Sequence, residues 1–198
     1  IVFIAFSAEE RGLLGSAHYV REPRFPLSNT VAMINMDMVG RLRDNKLSIS
    51  GTGTATEFEI LIPDLVKETT LTASLTIGGT GPSDHTNFYH KDIPVLFFFS
   101  GLHGDYHKPS DTAEKINAQG ARNVLRLAYR MIGHVAGAVP RPEYTEVFQA
   151  RPMAGSGGGY GPYFGSIPDF RDDLDGVMFA DVTSGSPAAK AGLGPGDI

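Results

Sequence analysis

The chain has 198 residues, 41% hydrophobic and 20% charged, which is enough apolar material for a packed core in one domain or two small ones. A formal net charge of -5, with no lysine- or arginine-rich run, excludes the basic stripe that a nucleic-acid partner needs. With no cysteine, disulfide and thiolate chemistry are excluded, so a metal must be held by His, Asp or Glu.

Ile1 to Phe6 is a continuous apolar, β-branched and aromatic run, the pattern of a strand covered on both faces. A polar turn over Ser7 to Arg11 leads to a helical stretch from about Gly12 to Arg21. Val31 to Met36 and Ile93 to Phe99 read as further buried strands, and Lys46 to Ser50 as a weaker one. Thr54-Ala55-Thr56-Glu57 fits a capping box that opens a helix, which Pro63 is expected to kink or restart. Asn117 to Gly137 is the clearest helix, with Ala121, Val124, Leu125, Ala128, Met131, Ile132 and Val135 on one face. Buried strands alternating with helices predict an α/β domain with a largely parallel sheet covered on both sides.

Composition shifts after this helix. Pro140 and Pro142 end it, and Gly155 to Gly159 is a flexible stretch, so the domain boundary falls between about 140 and 160. The expected division is 1–140, a linker at 141–159, and a smaller β-rich part at 160–198. The chain opens without Met inside a strand-like run and stops where another strand starts, so both ends read as cut. The longest apolar run, Val95 to Phe99, is far short of the ~20 residues that span a bilayer.

Four segments of the first part carry acidic or histidine side chains just after predicted strands or in loops, where open α/β sheets bind ligands. Glu9 and Glu10 follow the opening strand; adjacent residues leaving a strand point in different directions, so one carboxylate can bind a metal while the other acts as a base. A solvated turn or an acidic helix start reads the same pair equally well. Asp37 ends an otherwise apolar strand, where it must be paired, solvated or coordinated, or else caps a loop. Ser83 and Asp84 precede a helix that either one can cap, and His85 follows them. His107 lies in a Pro-bearing loop with Tyr106 before it and Asp111 close enough to orient it. His18 and His134 fall on helices as surface or packing residues, while His90 and His103 have no pattern support.

The order, spacing and wording of these segments resemble the zinc peptidase superfamily of bacterial aminopeptidases, glutamate carboxypeptidase and glutaminyl cyclase. The resemblance runs from Ile1 to about Val139 and is most specific over Phe3 to Ser16 and around His107. It implies a three-layer α/β sandwich around a mixed, largely parallel sheet. It also implies Glu9 as general base, Glu10 and His107 as ligands of one zinc, and Asp37 as a ligand of the other. Tyr106 matches a position that hydrogen-bonds the developing oxyanion in some relatives, and Ser83, Asp84 and His85 match a pocket-side loop. Two zinc ions ~3.5–4 Å apart would activate a water for peptide hydrolysis. The family takes a further His and a bridging Asp from upstream segments that this chain lacks, so these 198 residues are expected to bind zinc weakly or not at all and to be inactive. Periplasmic or secreted localisation is an expectation from the resemblance alone.

The tail from Ser184 to Ile198 looks like the short helix and turn of a PDZ domain. Ser186 suits the N-cap, Pro187 the first helical position and Gly192 the stop. Tyr163-Phe164-Gly165-Ser166 is similar to the loop that receives a peptide carboxylate in bacterial PDZ domains. The implied partners are therefore peptide substrates at the first part and protein C-termini at the second. The leading reading is an aminopeptidase; a carboxypeptidase, a glutaminyl-cyclase-like enzyme and a non-catalytic binding module are the alternatives.

Overall fold

The structure is a computed structural model that describes residues 1–138, 140–147, 164–168, 179–182 and 184–197. The glycine stretch at 155–159 and Tyr163 lie outside the described residues. The chain divides into two compact units, Ile1–Phe6 with Ser16–Gln149, and Ser7–Gly15 with Ala150–Ile198.

In the first unit, four strands form one mixed sheet: β1 (Met33–Asp37), β2 (Lys46–Ser50), β3 (Thr72–Thr76) and β4 (Val95–Phe99), in the order β1-β4-β2-β3. β1 and β4 pair in parallel, as do β2 and β3, while β2 and β4 run antiparallel. β4 is the central apolar strand, and its side chains alternate between faces. Leu96 and Phe98 enter a core with Leu47 and Ile49 of β2, Phe58, Ile62 and Leu65 of α2 (Thr56–Lys67), and Val124, Leu127 and Met131 of α4 (Ala118–Gly137). Val95 points the other way, into a cluster with Val20 of α1 (Leu14–Arg21) and Phe88 and Tyr89 of α3 (His85–Tyr89). Helices therefore cover both faces, giving the three-layer α/β arrangement that the sequence predicts. Among the described residues no helix is long and apolar enough to cross a membrane.

Several local expectations are corrected. Ile1 to Phe6 forms no strand, and Ile1 and Phe3 are exposed, because among the described residues the segment has no strand neighbour to complete a ladder. β1 is half-buried, since it lies at one edge of the sheet. The segment after Ser7 is first a 3-10 turn over Glu9–Arg11, and α1 starts only at Leu14. Thr54 builds no capping box. Its hydroxyl, fully buried, is shared as a donor between the carbonyls of Gly51 and Val95 and accepts from the Val95 amide at 2.9 Å, locking the turn after β2 onto β4. Gly51 is needed there: its φ is +87°, and an added Cβ would lie 2.1 Å from the Val95 carbonyl oxygen. α2 runs unbroken through Pro63. In α4, Leu125 is exposed and Leu127 takes its place in the core, one turn from Val124 and Met131. Asn117 caps α4, its side chain accepting from the Gly120 amide.

In the second unit, β5 (Ser166–Pro168) pairs antiparallel with β6 (Phe179–Val182), and α5 spans Pro187–Lys190. The Ser186 side chain accepts from the Ala189 amide, Pro187 is in the first turn, and Gly192 has φ +85°, as the local sequence predicts.

Candidate active site

The glutamate pair sits in a tight turn. Ala8, Gly12 and Leu13 all adopt left-handed backbone, and the Glu9 carbonyl accepts from the amides of Gly12 and Leu13 at 3.1 and 2.8 Å. The turn closes on itself through Gly15, whose amide donates to the Ser7 carbonyl at 3.0 Å. A Cβ at Gly15 would approach that oxygen to 2.4 Å, so only glycine permits the closure. Two left-handed non-glycine residues flanking two carboxylates are the kind of stored strain that clusters at functional sites.

The rest of the candidate site is built on the first unit's sheet. Asp37 is the last residue of β1, in register with Phe99, the last residue of the parallel strand β4. Asn35 and Asp37 share one face by alternation, together with Phe97 and Phe99. Ser83, Asp84 and His85 lie over that same face. Asn35 donates from Nδ2 to Ser83 Oγ at 2.8 Å, and the His85 ring stacks on Phe97 with centroids 4.4 Å apart.

Asp84 stands at the start of α3 but does not cap it; no side-chain cap bond forms. Its carboxylate instead accepts from Ser16 Oγ at 2.5 Å, and Ser16 accepts from Asn87 Nδ2 at 2.9 Å. Burial is the main influence on Asp84 and pushes its carboxyl above the ordinary range; the Ser16 hydroxyl opposes this, and the charge of Asp37 adds to it.

His85 is fully buried, and neither ring nitrogen has a hydrogen-bond partner among the described residues. Desolvation lowers its pKa to about 4, so the ring is neutral at physiological pH. The linkage follows from a depressed folded value: stability is full above the unfolded pKa of ~6.5 and falls as pH drops toward about 4, because only the unfolded chain takes up the proton. His85→Phe, which keeps the stacking on Phe97, is therefore expected to flatten the loss between pH 7 and pH 5 by roughly 1–2 kcal/mol. Urea midpoints of both proteins at the two pH values measure this.

The loop after β4 carries Tyr106 and His107, whose rings stack with centroids 3.8 Å apart. His107 adopts left-handed backbone with φ 54°, and both residues are exposed. Asp111 is bonded to Arg41, and its Oδ2 lies 3.7 Å from Nε2 of His103. His103 is a residue to which the sequence pattern assigned nothing, yet its side chain is only 4% exposed and its buried Nδ1 has no hydrogen-bond partner among the described residues.

The geometry thus brings Asp37, Ser83, Asp84 and His85 onto one rim of the sheet, and places the Tyr106–His107 loop after the strand that neighbours Asp37. Glu9 and Glu10 occupy the separate turn described above. The donors, carboxylates and imidazole without thiolate, suit zinc in kind. Yet among the described residues no three His, Asp or Glu side chains come together as a group that could hold a metal. These described donors alone therefore do not close a zinc site.

Sequence reasoning passed over Asn35 and the Ser16–Asn87 pair. Asn35 had a signal, since it lies two residues before Asp37 and so on its face. The bond between Ser16 and Asp84 spans 68 positions and leaves no local trace.

Comparison with known proteins adds to this geometry. The family model described as Peptidase family M28 matches residues 1–132. Aminopeptidase YwaD of Bacillus subtilis (strain 168) is 31% identical over 128 residues, which are 60% of this chain and 28% of the relative. A probable zinc metalloprotease of Pyrenophora tritici-repentis is 37% identical over 90 residues, 44% of this chain and 20% of its own length. Among solved structures, the LapA aminopeptidase of Legionella pneumophila matches with a TM-score of 0.57 and 26% identity, over 69% of this chain and 39% of that one. The zinc aminopeptidase BSAP of Bacillus subtilis gives 0.51 and 27%, over 64% and 34%. The chain therefore spans well under half the length of these relatives.

Proposed function

The chain belongs to peptidase family M28, and from that premise we propose that it is part of a zinc-dependent exopeptidase that removes N-terminal residues from peptides. The observation that carries this reading is the placement of Asp37 at the carboxyl end of β1, on the face that also bears Ser83, Asp84 and His85. Similarity to a zinc aminopeptidase and to a probable zinc metalloprotease supports the choice of metal.

In this proposal Glu10, Asp37 and His107 contribute zinc ligands, and the 198 residues alone bind the metal weakly. Two zinc ions, when bound, would polarise the scissile carbonyl and lower the pKa of water toward ~7. Glu9 accepts the proton of the attacking water and returns it to the departing amine, keeping both transfers within one carboxylate. The Tyr106 hydroxyl donates a hydrogen bond to the oxyanion as charge develops there. Ser83, Asp84 and His85 form a dry, polar wall beside Asp37.

The assay is hydrolysis of aminoacyl-p-nitroanilides by the intact protein that carries this chain. Release of nitroaniline, abolished by a chelator and restored by zinc, is the expected result. Cleavage only of substrates with a blocked amine and a free carboxylate would instead make the protein a carboxypeptidase.

The C-terminal part is proposed to be a PDZ-like module that recruits peptide C-termini through Phe164, Gly165 and Ser166. The support is local: Gly165 has φ +86°, and the Phe164 carbonyl accepts from the Ala188 amide of α5 at 3.0 Å.

A further inference from the structure

The loop that carries Tyr106 and His107 has little apolar anchorage of its own. From Gly104 to Thr112 its residues are half-buried or exposed and Leu102 is at the surface, while the His103 side chain, 4% exposed, is buried. Burial of one histidine does not fix the whole loop, so polar bonds must, and their partners cluster in one place. Ser100 Oγ donates to the Met38 carbonyl at the start of the loop. Arg43 donates to the Leu102 carbonyl at 2.5 Å. At its far end, the Asn117 amide donates to the Gly40 carbonyl and Asn117 Nδ2 to the Leu42 carbonyl, each at 2.8 Å. The middle is held by Arg41: Nη2 donates to Asp105 Oδ2 at 2.9 Å, and Nη1 to Asp111. Asp105 in turn accepts from Ser110 Oγ at 2.8 Å and Lys115 Nζ at 2.7 Å.

We infer that Arg41 is a positioning residue that fastens the Tyr106–His107 loop to the segment following Asp37. Asp105 immediately precedes Tyr106, and Asp111 lies four residues beyond His107, so one guanidinium fork grips both stems of the turn. A lysine, a point charge with no fork, holds only one of the two carboxylates well. A lone exposed ion pair contributes little, but here two pairs share one cation and Asp105 is shared with Lys115, so the group acts as a network. The consequence is that the strand end bearing Asp37 and the loop bearing His107 move together. Its catalytic weight rests on the functional reading above; the mechanical part does not.

Amide hydrogen exchange of the 198-residue chain tests the clamp. In Arg41→Met, amides of 101–112 are expected to exchange about tenfold faster, with β4 and α4 unchanged. Arg41→Lys should fall between, and adding Asp105→Asn to Arg41→Met should speed exchange less than Asp105→Asn does alone, because the two share the Arg41–Asp105 bond. Unchanged exchange over 101–112 in Arg41→Met overturns the inference. Should Arg41→Met open β4 and α4 as well, Asp105→Asn supplies the comparison from the loop side: faster exchange over 101–112 alone supports the clamp, and unchanged exchange there overturns it. In the intact protein, kcat is expected to fall about tenfold with KM little altered, and Arg41→Lys to recover part of it. Proportional loss of active protein without that split also contradicts the inference. Failure of the enzyme reading would show separately, as no hydrolysis by the unsubstituted protein, and would leave the exchange result standing.

Discussion

Replacing Glu9 with alanine is expected to lower kcat of the intact enzyme at least about a thousandfold while KM changes little, as for loss of a general base that acts only on the way to the transition state. The backbone argues that the effect belongs to the carboxylate. The Glu9 carbonyl closes the turn by accepting from Gly12 and Leu13, and those bonds use main-chain atoms that the substitution leaves in place. Glu9→Gln sharpens the test, since it keeps the size and removes only the ability to take a proton. Steady-state rates on an aminoacyl-p-nitroanilide give the answer; equal rates in all three proteins would end the assignment of Glu9 as base.

Phe98→Ala is expected to cost about 3–5 kcal/mol of folding stability, against the roughly 5–15 kcal/mol that holds a typical domain. Phe98 is fully buried at the centre of the sheet, in register with Met36 of β1 on one side and Ile49 of β2 on the other. Its ring fills the core between the sheet and the two long helices α2 and α4. A cavity there is walled by buried residues of β2, α2 and α4 and cannot collapse cheaply. Urea unfolding should show a lower midpoint with a similar slope. A loss below about 1 kcal/mol would mean that this core does not hold the sheet together.

Elements with a local signal were readable in the sequence. β2, α4, the apolar strand β4 and the Ser186–Pro187 helix start all follow from local pattern, because each is decided by neighbours two to four positions away. β3 escaped notice: Thr72-Ala73-Ser74-Leu75-Thr76 alternates, but one leucine in five residues is a faint signal for an edge strand. Ile1 to Phe6 failed in the opposite sense, since hydrophobicity suggests a strand while only a hydrogen-bonded neighbour makes one. Thr54 shows the same limit, because a hydroxyl that fits a capping box locally found better partners 41 positions away.

The candidate site was legible as residue types and much less so as contacts. Asp37 at a strand end announced itself by the cost of burying a charge. Asp84 looked like a helix cap and became the acceptor of Ser16, a choice made by folding rather than by spacing. Arg41, part of no pattern, lies at the centre of the polar contacts that hold the His107 loop, and His103, equally unmarked, approaches Asp111 to 3.7 Å. Such networks join residues some 60 to 70 positions apart, and no local rule reaches that far.

Direct metal analysis of the intact protein and of Glu10→Ala, Asp37→Ala and His107→Ala is the closest test of the whole account. Two zinc ions per chain are expected in the unsubstituted protein, with at least one lost in each variant, while titration of the 198 residues alone shows no pair of tight sites. Zinc absent from the intact protein, or retained in full by all three variants, would contradict it.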